Sequence, residues 1–114
     1  MRTNNDHVAT AFVNRQYGYK NSTGSYHTKK NRQGEGILYS YKAPIACHAL
    51  DGTIYLFNGW RGFSTTTSAH LTMVKNAAEK AGKEVVIREE QPRRSNLDEL
   101  LLKLHEERMG ALFA

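Results

Sequence analysis

The residues best suited to chemistry in this chain lie between His7 and Gly34, where five Lys or Arg side chains occur without one Asp or Glu. Its tip reads Tyr17-Gly-Tyr-Lys-Asn-Ser-Thr-Gly-Ser-Tyr-His-Thr-Lys-Lys-Asn-Arg-Gln-Gly34, mixing rings, cations, hydroxyls and glycines without apolar periodicity. Such a stretch buries too little surface to fold by itself, so a mobile loop over residues 17–35 is expected. Its chemistry suits a polyanion. Arg15, Lys20, Lys29, Lys30 and Arg32 would meet phosphates, Tyr17, Tyr19 and Tyr26 would stack on exposed bases, and glycines would let the backbone approach.

A second concentration of polar groups is Ser64-Thr65-Thr66-Thr67-Ser68-Ala69-His70, at the start of a predicted helix. Free backbone N–H groups there, with Thr66, Thr67, Ser68, His70 and the nearby Arg61, could hold an anion. A hydroxyl beside His70 is also the minimum for a nucleophile and its base. The alternative is that one hydroxyl caps the helix and His70 decorates its first turn, since Ser68 and His70 are turned away from each other at that spacing. Other chemistry has weaker support. Cys47 and His48 point to opposite faces of a strand, and no Cys-x-x-Cys or His-x-x-x-His spacing occurs, so neither a metal nor a cofactor is expected. The carboxylates read as turn and helix ends, and Cys47 as an inert core thiol.

The elements that would position these groups follow from periodicity. Asn5 or Asp6 caps a helix to about Gln16, with Val8, Phe12 and Val13 as its apolar stripe and Gly18 as its stop. Strands are expected at Ile37–Tyr41, Pro44–Leu50, Thr53–Phe57 and Trp60–Ser64, joined by Asp51-Gly52 and Asn58-Gly59, the dipeptides that favour hairpin turns. In this meander Tyr39 with Tyr41, and Tyr55 with Phe57, share faces and offer a platform of rings for stacking. Some of these rings must instead fill the core. A helix with Leu71, Val74, Ala77, Ala78 and Ala81 on one side ends at Gly82, and Val85-Val86-Ile87 forms a further strand. After Pro92-Arg93-Arg94 breaks the pattern, Asn96 and Glu99 make a capping box for a last amphipathic helix that Gly110 ends.

The fold class is therefore α+β, a small antiparallel meander of three to five strands with an N-terminal helix, a helix after the meander and a C-terminal amphipathic helix. Residues 1–92 would form the core domain and 93–114 the last helix and its apolar tail. That helix either folds back on the sheet or joins a second subunit through residues 96–109. The net charge of +5 is uneven: residues 1–75 hold nine Lys or Arg against three acids, and residues 76–114 hold seven against eight, so a charged partner should meet the front of the chain. A lone cysteine, no apolar leader and no membrane-length segment fit a protein of the cytoplasm.

The runs Leu38-Tyr-Ser-Tyr-Lys-Ala-Pro-Ile-Ala46, Asp51-Gly-Thr-Ile-Tyr-Leu56 and Phe63-Ser-Thr-Thr-Thr-Ser-Ala-His-Leu71 resemble a group of short accessory proteins encoded by tailed bacteriophages, with similarity over about residues 7–78. The resemblance implies a phage protein acting in the bacterial cytoplasm and marks Ser64–His70 as shared, without assigning it a role. Three functional readings follow: a nucleic-acid-binding protein, an inhibitor of a host nucleic-acid-processing or defence protein, and a small hydrolase using His70.

Overall fold

The computed structural model describes residues 2–113. Strand β1 (Arg2–Thr3) leads into helix α1 (Asn5–Val13), then β2 (Lys20–Asn21), β3 (Tyr26–Lys30), β4 (Gly36–Ser40), β5 (Ala43–His48), β6 (Ile54–Phe57), helix α2 (Thr65–Lys80), β7 (Val85–Arg88) and helix α3 (Leu97–Phe113). The seven strands lie side by side in chain order. Neighbours from β2 to β6 are antiparallel, whereas β1 with β2 and β6 with β7 are parallel. The two parallel pairs need crossovers, and α1 and α2 supply them, packing together on one face. On the other face α3 is tied to the sheet by Arg88–Glu107, and to the β5–β6 turn and the start of β7 by Arg108 with Asp51 and Glu84. Leu97, Leu101 and Leu104 of α3 share one buried cluster with Ile37, Cys47 and Tyr55, which strand pairing places on one face of the sheet.

The expected class holds, but the sheet exceeds three to five strands because the segment expected to be a mobile loop supplies two of them. Polar side chains do there what apolar periodicity does elsewhere. Asn21 donates to Asn5 Oδ1 and Ser25 Oγ and accepts from the Tyr26 amide, and the Asn31 side chain binds the amides of Gln33 and Glu35. Tyr26 and Thr28 then point inward and are buried.

The Trp60–Ser64 strand does not form. Asn58–Trp60 is a 3-10 turn, and Gly59 lacks a positive φ. It is glycine because a Cβ there would collide with the backbone of Glu89 and Glu90. By contrast, Gly52 at φ +95° makes the expected turn, with Asp51 Oδ1 accepting from the Thr53 amide at 2.9 Å.

Helix ends moved by a residue or more. Asn4, not Asn5 or Asp6, caps α1 at the His7 amide. The helix stops at Val13, well before Gly18, because Arg15 takes φ +59° while Arg15 N bonds Phe12 O and Gln16 N bonds Ala11 O. Ser64 caps α2, and Gly82 ends it with Lys83 N on Ala78 O. The capping box at α3 is absent: Asn96 Oδ1 accepts from the Arg93 amide instead. Gly110 does not end that helix, which continues to Phe113. The side chains of the expected apolar tail, 111–114, lie outside the described residues.

Candidate nucleic-acid interface

The candidate cations do not act as one group. Arg15, though exposed, is engaged by the chain itself, donating to Ala49 O at 2.7 Å and Leu50 O at 3.3 Å and so tying the end of α1 to the β5–β6 turn. Lys30 and Arg32 are exposed at the far end of the β3–β4 hairpin. Lys20 and Lys29 fall on the α3 side of the sheet, because Lys20 pairs with His27 and strand alternation sets His27 and Lys29 together. Both are exposed, and among the described residues no ion pair engages Lys20, Lys29, Lys30 or Arg32.

The tyrosines divide as sharply. Tyr26 is fully buried, donates to His70 O at 3.1 Å and stacks on the His70 ring at 4.0 Å, so it offers nothing to a base. Burial raises its phenol pKa above the ordinary value. Tyr17 is half-buried over Gly36, whose missing Cβ leaves room for its ring. Tyr19 is half-buried beside His7, 5.0 Å between centroids. Of the expected platform, Tyr39, Tyr55 and Phe57 are covered, all under 10% exposed, whereas Tyr41 lies in the turn after β4 and is exposed. Tyr39 is sandwiched by protein groups: His27 stacks on it at 5.0 Å, Arg94 lies 4.8 Å above its centroid and Lys29 Nζ 6.0 Å away. Desolvation holds the His27 pKa below its ordinary value, so its ring is neutral at pH 7.

The helix start at Ser64–His70 is a fastening between α2 and β4. Ser64 Oγ accepts from the Thr67 amide and donates to Thr67 Oγ1, both at 3.0 Å. Thr67 Oγ1 lies 3.0 Å from Ser40 Oγ, which lies 2.8 Å from His70 Nδ1. With Ser64 donating, each hydroxyl passes its hydrogen onward and Nδ1 is the terminal acceptor. Ser40 and His70 have the separation of a nucleophile and its base, yet they are 1% and 2% exposed. Desolvation lowers the His70 pKa to about 4, so the imidazole is neutral and structural. Ser68 Oγ accepts from the Gly62 amide, Thr66 is exposed in the first turn of α2, and Arg61 donates to Asn58 and Thr72. This group sits on the α2 side of the sheet, so it does not join Lys20 and Lys29.

What the structure does bring to those lysines was missed in the sequence. Arg93 and Arg94, read as a break, are exposed, and with Tyr41, Lys42, Trp60 and Phe63 they line a cleft of about 740 Å³. Its lining has three cations and no carboxylate. Tyr41 and Phe63 are the exposed rings, at 53% and 64%, and Trp60 meets Phe63 edge-on at 5.1 Å while donating to Pro92 O. Arg94 lines this cleft and covers Tyr39, which makes one surface of cleft and lysines. A doubled arginine beside a proline, in a chain with exposed rings elsewhere, was the available signal.

Among the described residues no group of three or more His, Cys, Asp or Glu is placed to hold a metal ion, and no helix is long and apolar enough to cross a membrane. The α3 leucine stripe, expected either to fold back on the sheet or to join a second subunit, is buried within the chain at Leu97, Leu101 and Leu104, with Leu102 and Met109 exposed. No curated protein and no solved structure matches this chain. The model of a family of unknown function, DUF8033, matches residues 9–90, from α1 through β7. The chain belongs to that family.

Proposed function

We propose that the chain binds a nucleic acid or a similar polyanion through the face that carries Lys20, Lys29, Lys42, Arg93 and Arg94. The observation that carries this reading is the Arg94–Tyr39–Lys29 stack: two cations held over one ring, both exposed and neither ion-paired among the described residues. Asp98 acts on the same phenol but pairs with neither cation. Compared with the sequence expectation, the interface moves from the hairpin tip to the sheet face, and rings at its edge replace the loop tyrosines. The phage-like motif supports a role for it in a bacterial cytoplasm during infection.

Fluorescence anisotropy with labelled single- and double-stranded DNA and RNA tests the reading. Affinity should fall with salt at a log–log slope of up to about −3.5 for a single strand if all five cations meet phosphates. Lys20→Glu with Lys29→Glu should weaken binding at low salt by about tenfold or more. Salt-insensitive binding, or none to any of the four, refutes it. A second reading, blockade of a host enzyme by protein contact, is favoured by the exposure of Phe63 and Tyr41 beside one another. A stoichiometric partner captured from nuclease-treated lysate would select it.

A further inference from the structure

We infer that the Tyr41–Phe63 cleft receives one unpaired nucleobase of a bound strand, so that the protein selects single-stranded over duplex nucleic acid; this rests on the polyanion reading above. The chemistry of the lining names the occupant. Two exposed rings, Tyr41 and Phe63, and the largely buried Trp60 line the cleft, which suits a flat aromatic guest. Lys42, Arg93 and Arg94 line the same cleft and no carboxylate does, so a guest that carries negative charge next to its flat ring fits best. A nucleotide has both features. Gln91 and Ser95, also in the lining, supply donors and acceptors for a base edge. A paired base inside a duplex cannot enter a pocket of this kind without leaving its stack.

The backbone gives an independent sign. Tyr41 occupies the first position of the two-residue turn between β4 and β5 at φ +58°, where glycine or asparagine is expected, and its ring is more than half exposed. Neither packing nor conformation accounts for a large aromatic there. Strain kept at an exposed position is accounted for by what the ring contacts when a ligand is bound.

Trp60 is the single tryptophan, so its emission reports the cleft directly. The experiment titrates the full chain with a twelve-residue oligothymidylate, the same strand annealed to its complement, and inorganic polyphosphate, following Trp60 emission and anisotropy. The single strand should quench Trp60 and bind at least about tenfold tighter than the duplex, while polyphosphate should bind without quenching. Phe63→Ala and Tyr41→Gly should each reduce single-strand affinity by at least about fivefold, with duplex and polyphosphate binding unchanged. Phe63 is on the surface and glycine suits the turn at Tyr41, so both variants keep the fold. If both bind the single strand as the parent does while Lys20→Glu with Lys29→Glu loses it, the base pocket is overturned and the polyanion reading stands. If no polyanion binds the parent, both are overturned.

Discussion

Acid should unfold this protein earlier than its carboxylates alone would dictate, because His70 is buried as a neutral ring. In the unfolded chain its imidazole takes a proton near pH 6.5, whereas in the fold it does so only at about 4. Between those values the unfolded state binds the extra proton, so stability is complete above about pH 7 and is lost as pH falls through this window. The full loss from this one residue is on the order of 3 kcal/mol, or roughly 15 °C in Tm for a domain of this size. The cause is geometric: Nδ1 accepts at the end of the Ser64–Thr67–Ser40 chain, and a proton there would set a donor against the Ser40 hydroxyl. His27 and His48, whose pKa values burial also lowers, add to the loss in the same direction. Thermal melts by circular dichroism from pH 7.5 to 4 measure the total. Comparison with His70→Asn, which keeps an acceptor near the Nδ1 position, isolates the share of His70. The variant should be less stable at pH 7.5 for want of the Tyr26 stack, yet lose clearly less on acidification. Equal slopes in the two proteins would show that the desolvation argument is wrong.

Three further outcomes follow from single positions. Gly59→Ala should lower stability by about 1–3 kcal/mol in urea melts, since the new Cβ meets the fixed backbone of Glu89 and Glu90. Tyr41→Gly should raise stability by about 1 kcal/mol by relieving the left-handed turn, even as it weakens single-strand binding. Arg15→Ala should destabilise by about 1–2 kcal/mol through loss of its bonds to Ala49 and Leu50, and leave the salt slope of binding unchanged.

Much of the frame was legible because it is local. Helical spacing located the three helices, and the alternating apolar runs with Asp51-Gly52 located β4 to β6, since side-chain periodicity and turn chemistry act between neighbours in sequence. The segment 17–35 carries the signature of a mobile loop because the order of its strands comes from Asn21 bonding to Asn5 and Ser25, which leaves no apolar pattern. Gly59 carried the residue type of a turn for a different reason, namely the close approach of a distant backbone.

For the candidate site, the amino-acid sequence by itself determined which side chains exist: cations in the front part, rings in the meander, hydroxyls and a histidine at a helix start. Tertiary structure decided which of them face solvent together. Pairing of β3 with β4 turned Tyr26 inward and Lys29 outward, and the return of the chain after β7 laid Arg94 on Tyr39 and set Arg93 beside Phe63. Those meetings join residues about thirty to fifty-five positions apart, and no local propensity encodes them. They arise only when burying the core closes the sheet against α3, which is why the doubled arginine looked like punctuation in the sequence and forms the wall of a cleft in the fold.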